Sequence, residues 1–181
     1  MGKAPQGVRD KSSVQREGLL IFVTTGSGPL DFSRLVKRMD EIAEDLGVEV
    51  IIQKGFTPYE THFAKSFTFV PYEEALGYFK KAKVIVGHAS AGPIMHARAF
   101  NKPLIIFPRD GERQEIIDNH QIETARAMVG SSKMIEVVYH EDDLKVAVQR
   151  AMAKAEEGLS YEANSSLSSL IGYIKGFVQG I

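Results

Sequence analysis

The 181-residue chain contains no cysteine, which excludes disulfides, thiolate nucleophiles and Cys-type zinc sites. It also lacks an excess of charge of either sign, since 22 basic and 23 acidic residues leave a formal net charge of -1. Such a balance gives no global electrostatic reason to bind nucleic acid, and no nucleic-acid partner is expected. Long apolar runs are missing as well. LLIFV and PLIIFP are strand-sized, far short of the roughly 20 residues that cross a bilayer as a helix. The opening MGKAPQGVRDKSSVQREG has no apolar centre of the kind a secretory signal needs. Residues 1–17 are therefore expected to be a flexible tail, and the chain to be cytoplasmic, reaching a membrane only through a partner. The common catalytic signatures are absent too: no H-E-x-x-H, no G-x-S-x-G elbow, no G-x-G-x-x-G, and no P-loop with its lysine.

What is present is an ordinary globular composition, 44% hydrophobic and 25% charged, enough to build one core. The apolar run at 19–23 reads as a strand buried on both faces. Phe32, Leu35, Val36, Met39, Ile42, Ala43 and Leu46 then recur at spacings of three and four, which predicts a helix stopped by Gly47. Further strands are expected at 48–53, 67–70, 83–87, 103–108 and 134–138, and helices at 72–81, 93–100, 118–128 and 141–157. Strands alternating with helices predict a doubly wound, mainly parallel, Rossmann-like α/β sheet over residues 18–160. Leu167, Leu170, Ile171, Ile174, Phe177, Val178 and Ile181 fall on one helical face. That predicts a C-terminal amphipathic helix over 161–181, packed on the domain or on a partner.

Open α/β sheets bind ligands beyond the carboxyl ends of their strands, so the loops that follow strands are searched first. Thr24-Thr25-Gly26-Ser27-Gly28 lets backbone N–H groups approach an anion, or forms a simple tight turn. His88-Ala89-Ser90-Ala91-Gly92-Pro93 is a second small-residue loop opening a helix, with Pro93 suited to its first turn. Two such loops on one sheet favour a phosphorylated ligand. The third loop, PRDGERQEIIDNHQ, gathers carboxylates and amides that could read sugar hydroxyls. There Asp118 is expected to cap the helix, leaving Asn119, His120 and Gln121 exposed. His88, His96 and His120 lie near these loops, but their spacing is no zinc signature, and neither a metal nor a cofactor is expected.

At these same loops the sequence resembles the C-terminal domain of family 28 glycosyltransferases. IFVTTGSGPLDFSRLV, KVIVGHASAGPIMHARAFNKPLIIFPR and EIIDNHQIETA follow the family's order and spacing. The match is closest to its stand-alone forms, the small subunits of bacterial exopolysaccharide glycosyltransferases and the catalytic subunit of the two-part N-acetylglucosaminyltransferase of dolichol-linked chitobiose synthesis. The resemblance implies the C-terminal half of a GT-B enzyme that binds a nucleotide sugar, usually a UDP-sugar. A separate membrane-associated subunit would then supply the acceptor, lipid-linked, and the catalytic base.

Carried over by position, Thr25, Gly26 and Ser27 would lie near the diphosphate, and His88, Ser90, Gly92 and His96 in the nucleotide loop. Asp118, Asn119 and Gln121 would lie near the sugar hydroxyls, and Arg109 would border the same cleft. Three positions depart from the family: Ser90 replaces a glycine, Pro93 a frequent hydroxyl residue, and His96 the acidic residue that binds the ribose. These departures keep open a second reading, a non-catalytic binding or scaffolding module with a degenerate donor site. A homo-oligomer through the C-terminal face is the remaining partner expectation.

Overall fold

A computed structural model of the chain describes residues 18–162. The expected tail and the stripe from Leu167 to Ile181 lie outside the described residues. The elements are β1 (Leu20–Thr24), α1 (Ser33–Leu46), β2 (Glu49–Gln53), β3 (Lys65–Phe67), α2 (Tyr72–Lys81) and β4 (Val84–Gly87). They continue with α3 (Ala91–Ala99), β5 (Leu104–Ile106), α4 (His120–Met128), β6 (Ile135–Val137), a 3₁₀ turn at Glu141–Asp143 and α5 (Leu144–Glu156). Every strand pairing is parallel, in the order β3-β2-β1-β4-β5-β6. The chain thus winds outward from β1, returns to lay β4 beside it, and winds outward the other way.

The continuous apolar strands follow from two covered faces. Ile21 and Val23 of β1, with Val84 and Val86 of β4, pack against α1 and α5 residues such as Leu35, Met39 and Val148. Phe22 and Ile85 point to the opposite face, with Phe79 of α2, Ile94 of α3 and Ala125 of α4. Each fully enclosed side chain of this size stabilises by about 1.5–3 kcal/mol relative to exposure. Gly47 ends α1 as its position predicts, at φ 60 with its N–H on the Glu44 carbonyl. No described helix is long and apolar enough to cross a membrane.

The third strand is displaced from the expected 67–70, and Asp40 explains the shift. This α1 residue is 1% exposed, and its carboxylate accepts the backbone N–H groups of His62, Phe63 and Ala64 and the Tyr59 hydroxyl. The pinned loop delivers the chain to the sheet at Lys65, and Phe69 is left partly exposed. Burial by itself would raise the Asp40 pKa, but the three N–H donors and the hydroxyl outweigh it and hold the carboxyl below its ordinary value. A depressed carboxylate contributes stability above its unfolded pKa, which is lost as pH falls through the folded one. Asp40→Asn is expected to cost about 2–3 kcal/mol at pH 7, since it leaves N–H groups without their charged acceptor. Urea melts should show the gap to the native chain closing below about pH 4.

Other boundaries shift less. α3 starts at Ala91 rather than 93, β5 is confined to Leu104–Ile106, and a 3₁₀ turn takes the first three residues of the helix expected at 141–157.

Candidate functional site

The order of the sheet reverses between β1 and β4, and at such a switch point the two following loops diverge and leave a crevice. Here those are the loops with the small residues, and they touch. Gly26 has φ +79, and a Cβ built there would stand 2.6 Å from His88 Cε1 and Nε2. His88 donates its backbone N–H to the Thr24 carbonyl at 3.3 Å, with Nδ1 3.4 Å from the same oxygen. Its Nε2 lies 2.7 Å from Ser90 Oγ. Burial above all, and the nearby charges of Arg109 and His120, push the His88 imidazole down to about 4, against the opposing contact with Thr24. The ring is therefore neutral at pH 7, with Nδ1–H toward the carbonyl and Nε2 accepting the Ser90 hydroxyl.

That bond has a consequence for α3. Ser90 occupies the N-cap position in extended conformation but makes no side-chain capping bond, because its hydroxyl is turned to His88. The exposed first turn at Ala91 and Gly92 thus has no side-chain cap of its own. Pro93 seats this turn on the end of β4, where a Cβ on Gly87 would come within 2.8 Å of the Pro93 Cβ. The start of α1 differs. It begins at Ser33, and Asp31 already accepts the Ser33 N–H at 2.7 Å.

Below both loops lies Arg109, 4% exposed. Its Nη1 donates to the carbonyls of Leu30, Asp31 and Glu115, and Nη2 to that of Thr25. The guanidinium lies 4.4 Å from the centroid of the Phe32 ring. Among the described residues it forms no ion pair; its hydrogen bonds all go to neutral carbonyls, and Glu115 and Asp31 favour the cation only through space. Instead of bordering the cleft, as its position predicts, Arg109 is buried beneath the loops.

Gln121 also differs from expectation. It is 4% exposed rather than solvent-facing, and its Oε1 accepts the Arg109 backbone N–H at 3.1 Å. The glutamine lies on the inner face of α4, one turn from Ala125, which is why burial claims it. α4 begins at His120 with Asn119 in the N-cap position. Asp118 lies before the cap, where it accepts the His120 N–H at 3.1 Å and pairs with the His120 ring. Asn119 stays exposed and accepts the Gly111 N–H at 3.3 Å.

His96 is not gathered with the others. It stacks on Phe79 of α2 with centroids 4.4 Å apart, while Nδ1 lies 2.7 Å from the Gly92 carbonyl and Nε2 3.1 Å from the Tyr72 hydroxyl. Both nitrogens are engaged within the protein.

Three supporting residues went unremarked in the sequence. Gln53 holds the first loop, accepting the Thr25 N–H and hydroxyl on its carbonyl and the Thr24 hydroxyl on its amide. Arg34 and Glu115 form a buried ion pair at 2.8 Å that ties the third loop to α1, and Glu115 also accepts the Asp110 N–H. Arg34 was detectable as a charge between the core positions Phe32 and Leu35 of an amphipathic helix; Gln53 and Glu115 carry no such signal.

Comparison with known proteins agrees with this architecture. The glycotransferase of kitacinnamycin superposes with a TM-score of 0.59 at 19% identity, over 87% of this chain and 41% of that one. MurG of Acinetobacter baumannii gives 0.54 at 14%, over 77% of this chain and 44% of that one. This chain thus spans about two fifths of the length of both. ALG13 gives 0.52 at 18%, over 84% of this chain and 92% of that one. At these identities the likeness concerns the fold, that of the C-terminal halves of GT-B glycosyltransferases. No curated protein matches the sequence. The glycosyltransferase family 28 C-terminal domain, however, matches residues 20–172, a span that includes all three loops, and the chain belongs to that family.

Proposed function

We propose that the crevice between β1 and β4 holds the diphosphate of a UDP-sugar, and that the chain is the donor-binding subunit of a two-part glycosyltransferase. The observation that carries this reading is the Arg109 cation, buried without a carboxylate partner directly beneath the Thr25–Gly26 turn. Glu115 and Asp31 act on this cation only through space, without an ion pair, and a buried positive charge that no carboxylate contacts, beside two small-residue loops, favours an anion there. The uncapped first turn of α3 adds backbone N–H groups and the positive end of a helix dipole. In this reading Gly26 and Ser27 face the diphosphate, Gly92 the nucleotide, and Asp118 and Asn119 the sugar hydroxyls.

The transfer is an inverting displacement in which the acceptor hydroxyl attacks the anomeric carbon and the nucleoside diphosphate departs. Arg109 and the α3 N–H groups stabilise the charge that develops on the leaving oxygens. His88 does not serve as the base, since both ring nitrogens face protein partners and its pKa lies near 4. The resemblance to the family's stand-alone forms supports an acceptor half, base included, on a separate membrane-associated subunit acting on a lipid-linked acceptor. N-acetylglucosamine is the sugar that resemblance favours.

The engagement of both His96 nitrogens favours the second reading, a non-catalytic module whose donor site has degenerated. A thermal-shift panel with UDP, UDP-N-acetylglucosamine, other nucleotide sugars and inorganic phosphate separates the two. A ligand at about 100 times its Kd stabilises by about 2.7 kcal/mol, a rise in Tm of about 5–10 °C for a chain of this size. A selective rise is expected with one nucleotide sugar. Gly92→Asp should abolish it without unfolding the chain, since a Cβ at Gly92 meets nothing within 4 Å while the new carboxylate repels the diphosphate. Indifference to every nucleotide would support the non-catalytic module.

A further inference from the structure

The outer face of α4 borders a cleft that lies outside the β1 and β4 loops and shares Asn119 with the third loop. Asn119, Ile122, Glu123 and Arg126 recur at three- and four-residue spacing and face away from Gln121 and Ala125, the buried side of the helix. With Asp110 and Glu112 from the β5–α4 loop and Tyr139 from the segment after β6, they line a cleft of about 540 Å³. That volume lies within the usual range for small-molecule sites, about 300–1,000 Å³.

The lining pairs two kinds of surface. Ile122 and the half-exposed Tyr139 ring supply an apolar platform, while Glu112, Glu123 and Arg126 supply acceptors and donors around it. None of these three charged side chains makes a hydrogen bond or an ion pair among the described residues, whereas other charged groups of the same loop are committed, as Arg113 is to Asp110 and Glu141. Asn119 commits only its oxygen, to Gly111, which leaves its NH₂ as a further donor. A pyranose presents the complementary pattern, apolar C–H faces edged by hydroxyls that donate to carboxylates and accept from guanidinium and amide.

We infer that this cleft is a saccharide-binding groove, separate from the crevice at the switch point and joined to it by the loop 108–119. The inference holds whichever nucleotide, if any, the donor loops take. It gives the chain a means of holding a glycan alongside the third loop. The competing occupant for a cleft with three carboxylates and one guanidinium is a basic peptide.

The full chain should be titrated with N-acetylated chitotriose, cellotriose and maltotriose by calorimetry and saturation-transfer NMR, with tetralysine as the alternative probe. At least one trisaccharide is expected to bind, with affinity insensitive to salt and reduced at least tenfold in both Tyr139→Ala and Glu123→Gln. The second variant is isosteric and exposed, so it reports on the groove even where the first perturbs folding. No binding of any trisaccharide overturns the proposal, as does binding that Glu123→Gln leaves unchanged. Tetralysine binding that weakens with salt, in the absence of trisaccharide binding, would identify a peptide groove instead. The nucleotide thermal-shift panel, run on the same variants, reports separately on the donor crevice and is expected to be unaffected.

Discussion

Gly26→Ala is expected to destabilise the chain by about 3 kcal/mol and to abolish any nucleotide-sugar response. Two costs combine. The native φ of +79 lies in the region L side chains avoid, a strain of about 1–3 kcal/mol. The added methyl would also fall 2.6 Å from the His88 ring, and overpacking of this kind costs about 1–3 kcal/mol. His88 has little freedom to retreat, because it is held at the Thr24 carbonyl on one side and the Ser90 hydroxyl on the other. Moving it would uncouple the β1 loop from the β4 loop, so the loss should extend to the crevice itself. Urea melts of Gly26→Ala, His88→Ala and the double variant form a cycle that separates the two costs. The double variant should recover the steric part and keep the backbone part. A single variant as stable as the native chain would show that the two loops do not meet as described.

Arg109→Leu is expected to be the more damaging change, lowering stability by about 4 kcal/mol. Leucine fills part of the volume but leaves the carbonyls of Thr25, Leu30, Asp31 and Glu115 without their common donor. Hydrogen bonds to a charged group contribute about 1.5–3 kcal/mol each, and the more exposed carbonyls recover part of theirs from water. Arg109→Lys separates charge from shape. An ammonium preserves the positive charge beneath the crevice but cannot span four carbonyls with a planar fork. It should therefore fall between the two in urea midpoint and retain a weakened nucleotide response, while Arg109→Leu loses the response altogether. If Arg109→Lys matched the native chain in both measurements, the fork geometry would not be what organises these loops.

How much of this was legible in the sequence can be judged residue by residue. Ile21, Phe22 and Val23 announced a strand covered on both faces, because in a parallel sheet each successive side chain meets a helix. Val36, Met39 and Ala43 announced the buried face of α1, and Gly47 its end. The TTGSG and HASAG segments could be singled out as candidate ligand loops because small residues directly after apolar strands leave backbone groups approachable. Asp40 was readable in part, as a charge in the Val36–Met39–Ala43 stripe. Its partners at His62, Phe63 and Ala64 were not, since they lie more than 20 residues away.

The sequence by itself determined the fold class, the alternation of elements and the loops in which to look, all of which depend on local periodicity and on residue type. Tertiary structure alone decided that Gly26 meets His88, that Ser90 gives its hydroxyl to that ring rather than to α3, and that Arg109 and Gln121 are buried supports. It also turned His96 toward Phe79 and Tyr72. The physical reason is that a hydrogen bond or a close approach between distant segments depends on strand order and on the angle at which helices pack, and neither leaves a periodic trace in the chain.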